Sequence, residues 1–539
     1  MALVAMCLGV LVIANDFTAL NVALPAIERD FDVDVSTVAW VINAYALTFG
    51  MAIVTGGRLA DMFGRRRIFF IGAAMFAAFS LLGAFAQSAP QLIAMRVGMG
   101  IGGALMWPAI LGMTFAALPP AKAGLAGGLI LGVAGLGNAV GPLIGGTLTE
   151  LLSWRWIFVL NVPIAAFAVA VTWAKVHQPA AEEGDREIDY RGIATLSVGL
   201  LLVLLAFDQS SDWGLGDARV LAMLAVGIAL VAAFAFLEPR AGGRALIPRD
   251  VMGNRVFAAS CLVVLLMSAV FFTAVLYGPQ LMQKVLDYSP LESGVGMLPL
   301  LAVFGAVSFV AGSLYARIGG RPVIIAGAAS IAIGVFLLSL FGADSGYLAL
   351  VPGLVVTGLG LGLFYPTITT AAVTALAAAR SSLAGGIVYM FQIAGGALGL
   401  GLTTAIFTLR SEDRVSSDAA EAGIRLTDQQ ASVIHGILAG TDSGQTAFAD
   451  FRSPVAERVL DVVNDSFVAG VQLSFRVVAA LAVAGLVVAV LFVHPRAAPA
   501  DDGTPPDSPP TDPPATPQTD APPADPPPPD VPSSHRKAI

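Results

Sequence analysis

Gly57-Arg58-Leu59-Ala60-Asp61-Met62-Phe63-Gly64-Arg65-Arg66-Arg67 is a short polar interruption between two long apolar runs. Its outline returns later in the chain as Gly312-Ser313-Leu314-Tyr315-Ala316-Arg317-Ile318-Gly319-Gly320-Arg321. Working outward from each copy, the correspondence continues. Downstream of the first lie Gly100-Ile101-Gly102, then Trp107-Pro108, then Gly127-Gly128. Downstream of the second lie Gly358-Leu359-Gly360-Leu361-Gly362, then Tyr365-Pro366, then Gly385-Gly386. Glycine is common in membrane helices, so one such match carries little. Several in the same order point to a duplicated unit.

The composition says what solvent surrounds that unit. Of 539 residues, 57% are hydrophobic and only 12% charged, where soluble domains carry roughly 25% charged residues. Crossing the hydrocarbon takes about 20 apolar residues. Runs of that length recur at roughly 2–24, 37–59, 68–86, 91–117, 124–149, 156–174, 192–207, 218–237, 256–279, 293–314, 322–341, 347–376, 384–408 and 467–493. The first is read as a span and not a signal peptide, because no Lys or Arg precedes it and Asn15 and Asp16 interrupt it. Spans 1–6 then correspond to spans 9–14, with spans 7 and 8 inserted between them. The expected fold is an all-α membrane protein. It has a six-helix bundle over 1–175, two inserted helices with flanking loops over 176–255, and a second six-helix bundle over 256–495. Duplicated halves around a central cavity are the architecture of secondary transporters.

Basic residues predict orientation. The loop after span 2 holds Arg65, Arg66 and Arg67, and later even-numbered loops hold Lys122, Lys175, Arg240, Arg244, Arg317 and Arg380. Odd-numbered loops are acidic or poor in Lys and Arg, so the even side and both termini are expected in the cytoplasm. Residues 411–465 read as a polar outer loop. Residues 496–539, dominated by Pro, Asp and Ala, read as a disordered cytoplasmic tail or, alternatively, a docking segment. A net charge of -8 argues against a nucleic-acid partner, which needs clustered Lys and Arg. Cys7 and Cys261 lie in separate apolar runs, and the four histidines are scattered. No disulfide, metal or cofactor is expected. The absence of a GxxxxGK[ST] loop argues against ATP as the energy source.

The loop Gly57-x-Leu59-Ala60-Asp61-x-x-Gly64-Arg65-Arg66-Arg67 resembles the signature of the major facilitator superfamily. Arg96 with Gly98, Gly100 and Gly102 resembles its second motif. Gly137-x-x-x-Gly141-Pro142-x-x-Gly145-Gly146 resembles the motif that marks its antiporters. Asn15-Asp16-Phe17-Thr18 with Asn21-Val22-Ala23-Leu24-Pro25 is similar to the first-span motif of its fourteen-span drug:proton antiporters. Trp154-Arg155-Trp156-x-Phe158-x-x-Asn161-x-Pro163 is similar to their sixth-span motif. Three positions depart from the pattern: Asn15 stands where that family usually has Leu, Ala316 replaces the loop acid, and Leu354 stands opposite Arg96. The resemblance implies a major facilitator fold and export of small lipophilic compounds in exchange for protons, with no enzymatic step. It supplies the direction of transport.

The motif residues also have a physical reading. Asp61 is expected to face the start of span 13, where a carboxylate near a helix N-terminus is favoured. Gly57 and Gly64 would let the backbones approach, forming a latch on the inner side. The plainer alternative is a topology signal made by Arg65, Arg66 and Arg67. Gly137, Gly141, Gly145 and Gly146 put small residues on one face of span 5, as a sliding surface or as tight packing, and Pro142 can bend the span. Asp16 lies about 22 Å up span 1 and Arg96 about 9 Å down span 4 at 1.5 Å per residue. Those depths sum to about the 30 Å hydrocarbon thickness, so the two can meet. The pair is read as the proton-coupling site, against a fixed structural ion pair. Asn43, Tyr45, Trp107, Asn138, Tyr365, Tyr389 and Gln392 are the candidate cavity residues. Aromatics and amides suit a neutral or weakly charged amphiphile. The expected working unit is a monomer in contact with membrane lipid. Two readings compete with drug export: a dedicated exporter of a metabolite, siderophore or lipid, and a membrane assembly or signalling protein that transports nothing.

Overall fold

The computed structural model describes residues 2–176, 187–214, 216–421 and 454–494. Among them are fourteen helices long and apolar enough to cross a membrane, and no strand. They are α1 (Ala2–Phe31), α2 (Val35–Phe63), α3 (Arg65–Ala84), α4 (Ala89–Ala116), α5 (Ala123–Leu151), α6 (Arg155–Lys175) and α7 (Tyr190–Trp213). The second seven are α8 (Ala218–Leu237), α9 (Arg255–Val285), α10 (Leu298–Ile318), α11 (Gly320–Leu338), α12 (Val351–Thr374), α13 (Ser381–Glu421) and α14 (Pro454–Phe492). In lipid a backbone must satisfy its own hydrogen bonds, and the helix does so within one segment. Polar residues mark several starts. Asp34 accepts from Thr37 N at 2.9 Å, Asp189 from Gly192 N at 2.9 Å, and Asn254 from Phe257 N at 3.0 Å.

The repeat seen in the sequence is a repeat in packing. In the first bundle α1 packs on α5 and α6, α2 on α4, and α3 on α4 and α6. In the second, α9 packs on α13 and α14, α10 on α12, and α11 on α12 and α14. The two copies of the polar interruption match in backbone too. Gly64 separates α2 from α3 at φ 99°, and Gly319 separates α10 from α11 at φ 84°. Side chains with a Cβ rarely adopt that region, which is why glycine stands at both turns. The bundles meet along two lines, α5 against α10 and α12, and α13 against α2 and α4. The inserted α7 pairs with α8 and rests on α2 and α13. Only 17% of α8's apolar window is buried, against 78% of α4's, so α8 is a lipid-facing strut and α4 a core helix.

Several helices outrun the apolar runs that announce them. α13 continues to Glu421 and α14 begins at Pro454, so 411–421 and 454–465 are helical where a loop was expected. The apolar run ends where the lipid does. A helix already nucleated adds each further residue with its own hydrogen bond and can continue into water. Residues 422–453 of that expected loop, and the tail 496–539, lie outside the described residues.

α5 carries two glycine faces. A Cβ on Gly124 would lie 2.6 Å from the Gly312 carbonyl oxygen and one on Gly128 2.8 Å from that of Ser308, both on α10. The motif glycines face α1 instead. A Cβ on Gly137 would meet Ala14 Cβ at 2.9 Å, one on Gly141 Thr18 Oγ1 at 2.0 Å, and one on Gly145 the Ala19 carbonyl oxygen at 2.1 Å. Gly146 has more room, with Val22 at 3.5 Å. The motif therefore packs the two helices within one bundle, and the surface between bundles belongs to the other face. Pro142, inside α5, has no N–H to offer the preceding turn. Gly145→Ala is expected to destabilise by about 1–3 kcal/mol, the range for overpacking, whereas Gly146→Ala is expected to be near neutral. Melting of the detergent-solubilised pair checks this, and equal melting temperatures would count against it.

Candidate functional site

Asp16 on α1 and Arg96 on α4 form an ion pair with both side chains 0% exposed, Arg96 Nη1 donating to Asp16 Oδ2. The expected meeting of these two residues is present. An isolated buried charge is costly, so the environment must supply partners. Arg96 Nε donates to the Val41 carbonyl at 2.8 Å, and the guanidinium lies 4.2 Å from the centre of the Tyr45 ring. Asn161 Nδ2, from α6, donates to Asp16 Oδ1 at 2.9 Å and to Ser80 Oγ at 3.2 Å. Ser80 in turn donates to the Phe158 carbonyl at 2.8 Å. Sequence reading quoted Asn161 as a motif member and missed its role here. A lone Asn at helical spacing among apolar residues was the available signal. Arg96 Nη2, Asn161 Oδ1, Asn15 Oδ1 and Tyr45 Oη are buried with no hydrogen bond.

An aromatic chain leads from this pair to the other bundle. Tyr45 stands 5.9 Å from Phe49, Phe49 5.6 Å from Tyr389 of α13, and Tyr389 4.5 Å from Trp107, ring centre to ring centre. Three of the expected cavity residues, Tyr45, Trp107 and Tyr389, thus belong to one path, with Phe49 as the link that sequence reading missed. Tyr365 lies in a separate cluster of the second bundle. Its hydroxyl is 2.9 Å from Ser268 Oγ, and its ring centre lies 6.3 and 6.2 Å from those of Phe271 and Phe304. Asn138 and Gln392 are half-buried on α5 and α13. Asn43 turns elsewhere. Its amide donates to Asp208 Oδ2 on α7 at 3.2 Å, so it joins α2 to the inserted pair. Further ionisable groups stand on the helices where these outrun the apolar segments. α7 runs past the apolar segment and takes in Asp208, and α9 takes in Lys284, whose ammonium lies 4.8 Å from the Phe467 ring centre.

At the arginine-rich end, Asp61 accepts from the backbone N–H of Leu383 at 2.8 Å and of Ser382 at 3.3 Å. Those are among the first N–H groups of α13, which have no partner within their own helix. Arg65 Nε bonds Asp61 at 3.2 Å, while Arg65 Nη1 and Nη2 reach the carbonyls of Gly112 on α4 at 3.0 Å and Ala378 at 2.6 Å. A Cβ at Gly57 would lie 2.7 Å from the Ser382 carbonyl oxygen, so glycine is required for the approach. Arg66 has a different task. It bonds the Trp173 carbonyl at 2.8 Å and stands over Phe70, pinning α3 to the end of α6. The second copy of the motif has the backbone approach, Gly312 on Gly124, without the acid, since Ala316 stands at the Asp61 position.

The close approaches between bundles run from this end to mid-helix. On one line they pass from Gly57–Ser382 through Gly386–Ile53 to Gly50–Ile393. On the other they pass from Gly124–Gly312 to Gly135–Gly305. Beyond that, α5 turns its glycines to α1. At the opposite end Arg155 Nη1 bonds Asp30 at 2.6 Å and Trp154 Nε1 bonds the same carboxylate at 3.3 Å, contacts made inside the first bundle.

Comparison with known proteins agrees with this architecture. Residues 6–400 match the Major Facilitator Superfamily profile. The chain is 30% identical over 515 residues to the tetracenomycin C resistance and export protein of Streptomyces glaucescens, covering 94% of this chain and 93% of that one. It is 35% identical over 403 residues to a puromycin resistance protein of Streptomyces alboniger, covering 74% and 80%. It is 30% identical over 402 residues to a multidrug transporter of Bacillus subtilis, covering 74% and 73%. The crystal structure of a human organic anion transporter, MFSD10, shares the fold with a TM-score of 0.60 at 13% identity, over 90% of this chain and 98% of that one. Because the family match runs from α1 into α13, across both bundles and the insertion, the chain belongs to the major facilitator superfamily and is a multi-pass membrane transporter, not an enzyme.

Proposed function

We propose that this transporter is a proton-coupled antiporter that exports small lipophilic compounds from the cytoplasm by alternating access. The observation that carries the reading is the fully buried Asp16–Arg96 pair, joined through Tyr45 and Phe49 to the residues where the bundles meet. A carboxylate held in that way can respond to protonation, and the aromatic path gives the response a mechanical outlet. The arginine-rich end is the cytoplasmic one, by the excess of Arg in its loops. The latch at Asp61 is then on the inside, and the glycine approaches between the bundles, which run from that end to mid-helix, support an outward-facing form. In this cycle an external proton binds Asp16 and weakens its hold on Arg96. The bundles rock, Asp61 releases α13, and the inner side opens. Proton release to the cytoplasm allows loading, and the substrate leaves on the next outward swing. Phe49 and Trp107 are buried in this form; uncovered as the bundles part, they and Tyr389 would offer stacking surfaces with few charges, which suits neutral or weakly charged amphiphiles. The transporter acts as a monomer in the cell membrane, with both termini cytoplasmic.

The test is efflux from everted vesicles of a panel including puromycin and ethidium, with and without a protonophore. Uptake that collapses on adding the protonophore is expected. Uptake that persists, or is absent for every compound while the protein is inserted, would count against the reading. The names of two relatives, tetracenomycin C resistance and export protein and cephamycin export protein, favour a second reading in which one endogenous compound is the substrate. Accumulation of a single compound in a knockout, with unchanged drug sensitivity, would select it. Orientation has its own test. In a variant with Cys7 and Cys261 replaced, Asp344→Cys on the α11–α12 turn should react with an impermeant thiol reagent outside whole cells. Arg67→Cys should react only after permeabilisation, and the reverse pattern would invert the topology.

A further inference from the structure

We propose that Asn161 is a switchable partner of Asp16: its amide donates to the ionised carboxylate and, after a half-turn, accepts from the protonated acid. The inference rests on Asp16 as the proton carrier and adds what holds each protonation state.

Every other partner of Asp16 serves one state only. Arg96 on α4 can only donate, so it supports the carboxylate. Tyr45 on α2 lies under the Arg96 guanidinium with its hydroxyl unbonded. α5 presents Gly137 and Gly141 to this stretch of α1, and neither has a polar side chain. At α6's outer end Arg155 and Asp30 are bonded to each other. Asn161 is different because an amide has both kinds of atom. Its Nδ2 uses its two hydrogens on Asp16 Oδ1 at 2.9 Å and Ser80 Oγ at 3.2 Å, while its Oδ1 is buried and makes no hydrogen bond. An amide carbonyl left unbonded in a buried polar site is an acceptor in reserve.

When a proton from the outer side binds Asp16 Oδ1, the hydrogen on Asn161 Nδ2 and the new O–H would face each other. A half-turn of the amide exchanges Nδ2 and Oδ1. The acid O–H then donates to Asn161 Oδ1, and the Ser80 hydroxyl, which now donates to Phe158, can turn to the same oxygen. One proton is gained, the Asp16–Asn161 and Asn161–Ser80 hydrogen bonds both reverse, the Ser80–Phe158 bond is released, and no covalent bond other than the new O–H changes. Release runs the same steps backward. Asn161 is a positioning residue that keeps both states of Asp16 bonded, and Ser80 aims it.

Hydrogen bonds to charged groups are worth more than neutral ones, so removing the amide should disfavour the carboxylate more than the acid. An apolar replacement also adds desolvation, which acts the same way. Asn161→Leu is therefore expected to move the protonation midpoint of Asp16 up by about one pH unit. Dicyclohexylcarbodiimide reads this without any transported compound, because it adds across the O–H of a protonated carboxyl and does not modify the carboxylate. Full-length protein in membrane vesicles is treated across a pH series, and modification of Asp16 is measured by peptide mass spectrometry. A midpoint raised by about one unit in Asn161→Leu, and in Asn161→Ala should the leucine variant insert poorly, is expected. Asn161→Gln, which keeps the amide, is expected to return it toward wild type. An unchanged midpoint in the apolar variants overturns the inference, as does an equal shift in all three variants. If Asp16 is unmodified at every pH in the wild type, the proton-carrier reading fails as well.

Discussion

Asp16→Asn is expected to reduce proton-driven efflux to the level of vesicles lacking the transporter, while leaving the protein inserted. Asparagine keeps the shape, can still take a hydrogen bond from Asn161 or Arg96, and is easier to bury than a carboxylate. It cannot carry a proton, so it separates coupling from packing. Arg96→Ala should be severe for a different reason. Breaking a buried ion pair from one side costs about 3–5 kcal/mol, and the remaining carboxylate escapes part of that by holding a proton. The double change Asp16→Asn with Arg96→Gln discriminates the two roles. If the pair only holds α1 to α4, removing both charges should restore much of the transport. If Asp16 carries the proton, the double variant stays inactive. Full proton-coupled efflux by Asp16→Asn would end the proposal and move attention to Asp61.

Asp61→Asn is expected to lower transport by at least about tenfold at normal membrane abundance. The carboxylate accepts from Ser382 N and Leu383 N at the start of α13. An amide can accept at one oxygen only, and its other atom would point a hydrogen at a backbone N–H. The favourable charge at the helix N-terminus, up to about 2 kcal/mol when partly buried, is lost together with a charge-assisted bond worth roughly 1.5–3 kcal/mol. Either loss alone is enough to shift a two-state equilibrium by an order of magnitude, since about 1.4 kcal/mol is tenfold. The direction is toward an unlatched inner side. Ala384 is 0% exposed on α13 just beyond the latch. Ala384→Cys should therefore gain reactivity toward thiol reagents from the arginine-rich side when Asp61→Asn is added. Unchanged efflux and unchanged reactivity would leave Arg65 and Arg66 as a topology signal only.

Much of this molecule is legible in the chain because lipid imposes strong rules. Fourteen apolar runs and one repeated interruption lead directly to the fourteen helices and their paired bundles. Level-matching along two antiparallel helices brings Asp16 to Arg96 without any knowledge of side-chain direction, because both are charges that must find one another inside a bundle. Asp61 reaches α13 for a similar reason: the two-fold relation between halves says which helix start it faces. Residues without charge were less readable. The bond of Asn43 to Asp208 of the inserted helix α7 left no mark along the chain.

The sequence by itself determined the number of spans, the duplication, the family and the Asp16–Arg96 pair, since each follows from a pattern along one helix or a cost that only one partner can relieve. Tertiary structure alone decided which face of each helix points where. A span apolar on every side has no stripe to mark its buried face, so nothing along α5 says that Gly137, Gly141 and Gly145 meet α1 while Gly124 and Gly128 meet α10. The same holds for Asn161, whose hold on Asp16 needs α1 and α6 packed side by side. It holds too for Phe49, one of 30 phenylalanines and distinguished only by standing between Tyr45 and Tyr389. Rotation of a helix about its own axis costs little in a uniform apolar solvent, and it is settled only when the neighbours' side chains interlock.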